Sequence, residues 1–95
     1  MAAYIIADVE ITDPVGFQEY VSQVPSIVEK YGGKYLVRGG QFEQAEGNWD
    51  IHRVVIISFD TMEQLKKWYH SEEYSEPMKL RIRSTKTRSI MIEGM

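Results

Sequence analysis

The sequence contains no cysteine. That excludes disulfides, thiolate nucleophiles and zinc–thiolate sites, and it fits a reducing compartment. It has only two histidines, His52 and His70. They form no His-x-x-x-His pair and have no acid between them at metal spacing, so no metal site is expected. No apolar run reaches the roughly 20 residues that a bilayer helix needs. The N-terminal "MAAYIIADVEI" has no basic lead and carries Asp8 and Glu10 among its apolar residues, so it does not read as a signal peptide. An excess of positive charge is also missing: 11 Lys and Arg against 14 Asp and Glu leave a net charge of −3, which argues against a nucleic-acid partner. The late basic residues Lys79, Arg81, Arg83, Lys86 and Arg88 are balanced by acids elsewhere and read as a solvated face or a local anion site. No repeat, low-complexity segment or linker divides the chain. These absences lead to the expectation of a cytoplasmic protein with no membrane or nucleic-acid partner and no cofactor.

What is present is a regular alternation of strand and helix patterns. "AYIIADVEI", residues 3–11, reads as a strand with Ile5, Ala7, Val9 and Ile11 on one face and Tyr4, Ile6, Asp8 and Glu10 on the other. A helix follows, with Asp13 as its cap and Pro14 at its first position. Phe17, Tyr20, Val21, Val24, Val28 and Tyr31 recur along one stripe, and Gly32 and Gly33 stop the helix. Pro25 removes a backbone hydrogen bond inside it, at a cost of about 3 kcal/mol, which predicts a kink or a split into two helices. "KYLVRGG", residues 34–40, is a second strand, and "QFEQAEGNWD" is a polar connection at the tip of a long hairpin. "IHRVVIISFD", residues 51–60, is a third strand whose apolar middle predicts a central place in the sheet. Thr61 with Gln64 forms a capping-box pattern that opens a second helix carrying Leu65, Trp68 and Tyr69. Ser71 caps a further helical piece, expected to be interrupted near Pro77, and "KTRSIMIEG", residues 86–94, is the fourth strand.

The order strand, helix, strand, strand, helix, strand predicts an α+β fold, the ferredoxin-like βαββαβ antiparallel sheet, with residues 1–95 as a single domain. Helices then cover one sheet face. The other, carrying Tyr4, Ile6 and alternate residues of the third and fourth strands, has no cover from this chain. A chain of 95 residues buries a modest share of its surface alone, so a homodimer with its sheets face to face is the expected arrangement.

The segments "AYIIADVEITDP", "VPSIVEKYGGKYLVRGG", "WYHSEEY" and "RSIMIEG" together resemble the family called domain of unknown function 1330 (DUF1330), over about residues 2–94. The resemblance implies a ferredoxin-like fold that dimerises as an α/β barrel. That superfamily fold hosts small monooxygenases, muconolactone isomerase-like enzymes, haem-degrading enzymes and ligand domains of transcription regulators, so fold alone fixes no reaction. No catalytic set carries over residue by residue.

Two stretches hold groups with chemistry. Arg38, at the end of "YLVRGG", shares a face with Leu36 and Gly40 on simple alternation, and Gly39 and Gly40 permit a bulge and close backbone approach. Its planar fork suits a carboxylate or phosphate; the plainer alternative is an ion pair with Asp8 or Glu10 across the sheet. "WYHSEEY" gathers Trp68, Tyr69, His70 and Tyr74. His70 titrates near neutrality and is a candidate proton carrier, and Trp68, Tyr69 and Tyr74 are candidate pocket walls. The plainer alternative puts the aromatics in the core and His70 exposed at a helix end. Arg81 falls in a recurrent pattern of the resembled family and is a candidate partner of Arg38 for an anion, or else a solvated charge. Asp8 and Glu10, two apart on one strand face, are a candidate carboxylate pair with Asp8 as an acid–base group, or else ordinary solvated acids. Three functions follow. The first is a homodimer binding a small organic acid or aromatic metabolite near Arg38, Gly39, Trp68, Tyr69, Tyr74 and Arg81. The second is a cofactor-independent isomerase or monooxygenase using His70 or Asp8. The third is a structural module whose interior is filled by Tyr4, Ile6 and Met91.

Overall fold

A computed structural model describes residues 1–95. The elements are β1 (Ala3–Ile11), α1 (Pro14–Lys30), β2 (Lys34–Arg38), β3 (Val54–Phe59), α2 (Met62–Tyr69), α3 (Glu72–Ser84) and β4 (Thr85–Glu93). The strands form one sheet in the order β2-β3-β1-β4, with every neighbouring pair antiparallel. This is the expected α+β, ferredoxin-like arrangement.

Local signals set the helix ends. The Asp13 carboxylate accepts from the Gly16 backbone N–H at 3.3 Å, with Pro14 opening α1. Gly32 closes it at φ +81°, a backbone conformation cheap only for glycine. The expected split at Pro25 does not occur: α1 runs unbroken through it. Burying Phe17, Val24 and Val28, at about 1.5–3 kcal/mol each, outweighs the one lost hydrogen bond. The interruption expected near Pro77 is likewise absent, and α3 continues to Ser84. Thr61 Oγ1 accepts from the Gln64 N–H at 3.0 Å, but the Gln64 side chain does not return to Thr61. Its Nε2 donates to the Tyr31 carbonyl at 2.6 Å, tying the end of α1 to the start of α2. Ser71 Oγ caps α3 by accepting from the Tyr74 N–H at 3.1 Å.

The helices cover one face of the sheet. Between them lies a core of Ala3, Ile5, Phe59, Leu65, Trp68 and Tyr74, closed by Val24 and Val28. Trp68 stacks on Phe59 at 5.5 Å and on Tyr74 at 4.4 Å between ring centroids, joining β3, α2 and α3. The opposite face carries Ile6 between Ile56 and Ile90, with Tyr4 beside Ile92 and Val37 beside Ile56. Ile90 and Ile92 are 59% and 47% exposed. Met91, assigned above to this open face, pairs with Ile5 and packs against the core instead. Strand alternation puts Ser89 and Met91 inward and Ile90 and Ile92 outward.

Asp8 also lies on the outer face, and its environment differs from both readings of it. Its Oδ1 accepts from the His52 and Arg53 backbone N–H groups at 2.7 and 3.1 Å. Its Oδ2 is 3.3 Å from His52 Nδ1 and accepts from Arg88 Nη2 at 3.2 Å. Arg88, not Arg38, is therefore its cationic partner, and Glu10 stays on the far side of the His52 ring, 3.8 Å from Nε2. The acids around His52 do not converge into a metal-holding set. Desolvation raises the Asp8 pKa, but the hydrogen bonds from His52, Arg53 and Arg88 outweigh it and hold the carboxyl at about 2 against an ordinary 3.8. A carboxylate with a depressed pKa stabilises the fold above the unfolded-state value, and that stability is lost as pH falls through the folded-state value. Asp8→Ala is expected to cost about 1–3 kcal/mol at pH 7, with the difference from wild type closing between about pH 4 and pH 2. Urea unfolding across that range measures it, and a pH-independent difference would contradict the assignment.

Candidate functional site

A cavity of about 70 Å³ lies between the inner sheet face and the helices. That is room for about five water-sized bodies at 10–15 Å³ each. Its floor is three rows across the strands. The first runs Tyr35–Ile57–Ile5, the second Arg38–Val55–Ala7–Ser89, and the third Arg53–Val9–Thr87. Ala7, the smallest side chain of the floor, sits in the middle row, and the space opens above it. Phe17, Tyr20 and Pro25 of α1 roof one side, and Trp68, Tyr69 and Tyr74 roof the other.

Three guanidiniums enter this aromatic space. Arg38 arrives through a bulge. Tyr35 pairs with Ile57 and Val37 with Ile56, so Leu36 is the extra residue and the strand is shifted by one beyond it. A one-residue shift reverses the faces. Arg38 therefore joins Tyr35 on the inner side and does not share the face of Leu36, as unbroken alternation predicts. Its guanidinium lies 5.0 Å from the Tyr35 ring centroid. Arg53 enters in register with Val55 and Ile57, and its guanidinium sits 5.5 Å from the Phe17 ring. Arg81, on α3, donates from Nε to the Tyr74 hydroxyl at 3.4 Å, and Tyr74 and Tyr20 share a hydroxyl hydrogen bond of 2.6 Å. Burial pushes the Tyr20 phenol well above its ordinary range, with Tyr74 adding to the effect. Burial likewise raises Tyr35, to about 12, even though Arg38 lowers it. These phenols are neutral donors at physiological pH. No Asp or Glu lines the cavity. The ion pairs of the molecule use Lys30, His52, Lys79 and Arg88, and none involves the three cavity arginines.

The fold thus brings Arg38, Trp68, Tyr69, Tyr74 and Arg81 to one space. Two residues singled out as proton carriers are elsewhere. His70 is the exposed C-cap of α2, edge-on to Tyr69 at 5.3 Å, and Asp8 is on the outer face. Neither lines the cavity. Gly39 is also outside it but shapes it, because a Cβ there would fall 1.8 Å from Arg53 Nη1. Sequence reading missed Arg53, Tyr20 and Tyr35 as site residues. The signal for Arg53 was available: it shares strand parity with Val55, Ile57 and Phe59, a cation on the face that carries the core. Trp68 is both wall and core, at 2% exposure. Gly39 has φ +72°, so Gly39→Ala adds left-handed strain of about 1–2 kcal/mol and displaces Arg53. The expected result is a destabilised fold in urea unfolding; unchanged stability would contradict the close approach.

Comparison with known proteins supports the fold. The chain is similar to the RPA0582 protein of Rhodopseudomonas palustris, a protein of unknown function: TM-score 0.77, 18% identity, covering 99% of this chain and 82% of that one. It is also similar to SnoaB, a cofactor-independent oxygenase from Streptomyces nogalater: TM-score 0.73, 7% identity, covering 99% and 93%. A dimeric ferredoxin-like protein of unknown function from Jannaschia sp. CCS1 matches at TM-score 0.69 and 9% identity, covering 99% and 100%. At these identities the likeness is one of fold. No curated protein matches the sequence. The family described as domain of unknown function (DUF1330) matches residues 2–95, and the chain belongs to that family.

Proposed function

We propose that this protein is a homodimer that binds a small organic acid with an aromatic or apolar body in the cavity between sheet and helices. The observation that carries this is charge. Arg38, Arg53 and Arg81 meet in an apolar aromatic space that contains no carboxylate. Arg53 and Arg81 are partly buried there without an opposite charge and Arg38 stays exposed beside them, so an anion entering the cavity gains charge-assisted hydrogen bonds from arginine forks. The aromatic walls bury the rest of the ligand. Action in the cytoplasm belongs to the same reading and rests on the cysteine-free composition.

The dimer rests on the outer sheet face, where Ile6, Ile56 and Ile90 lie side by side with Tyr4 and Ile92 next to them. A patch of this kind is expected to be covered by a partner, and twofold packing of two such faces satisfies both at once. The dimeric Jannaschia protein shares the fold.

A cofactor-independent oxygenase or isomerase is a second reading, favoured by the shared fold of SnoaB. Its candidate proton carriers His70 and Asp8 do not line the cavity. Within the cavity, the hydrogen-bonded Tyr20–Tyr74–Arg81 chain supports such chemistry. A purely structural module is disfavoured by the cavity itself.

Phenylacetate at saturating concentration is expected to raise the melting temperature by on the order of 10 °C. Arg38→Ala or Arg81→Ala should remove most of that rise. An unchanged rise in both variants would take the arginines out of the site. Light scattering over a wide concentration range should give twice the 11.1 kDa chain mass, and Ile90→Lys should return it to the monomer value. A wild-type monomer at all concentrations would refute the face-to-face dimer.

A further inference from the structure

Hydrogen-bond supply and demand in the cavity are unequal, and the inequality bears on what fits. The Tyr20 and Tyr74 hydroxyls carry two hydrogens, and their mutual bond of 2.6 Å uses one. Arg81 donates to Tyr74 and can accept nothing. One phenolic hydrogen of the pair is therefore left without an acceptor in the protein. The Trp68 indole N–H and the Arg53 Nε–H are also buried with no partner. Buried donors without acceptors are rare in folded proteins, and each costs free energy until something accepts from it. Against this surplus the lining has no carboxylate, amide or imidazole. Its side-chain acceptors are hydroxyl oxygens; Thr85 Oγ1 donates to the Arg81 carbonyl at 2.7 Å, so Thr87 donates to Thr85 at 2.8 Å.

We propose that the cavity selects an oxo acid: a carboxylate held by arginine, with a neighbouring carbonyl oxygen that accepts the spare hydrogen of the Tyr20–Tyr74 pair, and with no hydrogen-bond donor of its own. This rests on the organic-acid reading above and narrows it. A carbonyl satisfies an orphaned donor, whereas a hydroxyl or ammonium in the same place brings a further hydrogen into a space whose side-chain acceptors are hydroxyl oxygens alone. Sites built to satisfy buried polar groups discriminate strongly on this ground, because the wrong ligand leaves those groups unpaired.

The test is a set of three acids of nearly equal size on the full-length wild-type protein: benzoylformate, mandelate and phenylacetate, with affinities from titration calorimetry. Benzoylformate carries the carbonyl, mandelate the hydroxyl, and phenylacetate neither. The expected order places benzoylformate at least ~10-fold tighter than both others. In the double variant Tyr20→Phe/Tyr74→Phe, which removes both phenolic hydrogens, with folding checked by circular dichroism, the ratio of benzoylformate to phenylacetate affinity should shrink to about threefold or less. Phenylacetate or mandelate binding as tightly as benzoylformate would overturn the oxo-acid inference and leave the organic-acid reading standing. An undiminished ratio in the folded double variant would also overturn it, by removing the tyrosine pair as the reader of the carbonyl. Failure of all three acids to bind would overturn both readings together. The wild-type series decides the selectivity even if the double variant does not fold.

Discussion

The stack of Phe59, Trp68 and Tyr74 holds the molecule in its working shape. Trp68 lies 5.5 Å from one ring and 4.4 Å from the other, so a single buried indole clamps the end of β3 to both α2 and α3. Aromatic pairs at these separations add about 0.5–1.5 kcal/mol beyond the area they bury. The stack also fixes a distance: with Tyr74 pinned against Trp68, its hydroxyl reaches Tyr20 on α1 and the guanidinium of Arg81. The helices are thereby braced apart above Ala7, and the sheet keeps a space that larger floor residues would fill.

Three arginines facing an aromatic cavity without a carboxylate is a costly arrangement, and the structure contains what makes it tolerable. Guanidinium is weakly hydrated and stacks on rings. Arg38 lies over Tyr35 and Arg53 over Phe17, each worth about 0.5–2 kcal/mol. For the partly buried Arg53 this contact offsets part of the desolvation, while Arg38 stays exposed to water. Carboxylates are kept on the other side of the sheet, where Asp8 is consumed by His52, Arg53 and Arg88. The backbone N–H of Arg53 is bound to Asp8 on the outer face, while its side chain serves the inner one. The sheet thus separates the charges by face: acids with their own partners outside, unpaired cations inside.

Much of the fold was legible in the sequence. The alternation in "AYIIADVEI", the Asp13–Pro14 and Thr61–Gln64 helix starts and the capping Ser71 are local signals, and local geometry reads them correctly. Pro25 and Pro77 were read too strongly, because a lost hydrogen bond is a local cost while the burial that outweighs it comes from elements distant in the chain. The site was legible in part. Arg38, Trp68, Tyr69, Tyr74 and Arg81 are chemically conspicuous, but Tyr20 looks like one more member of a helix stripe, and Arg53 is hidden at the head of an apolar run. His70 drew attention because its residue type suits catalysis, yet its place at the end of α2 points it to water.

By itself, then, the sequence determined the order of elements, the helix caps, the one covered and one uncovered sheet face, and the absence of thiol chemistry, because each depends on residue type and short-range periodicity. Only the tertiary structure decided which residues share the cavity. That choice turned on strand register and on one extra residue, Leu36. A strand has a period of two, so a single-residue bulge reverses every side chain beyond it, and the reversal is set by pairing with a strand some twenty residues away.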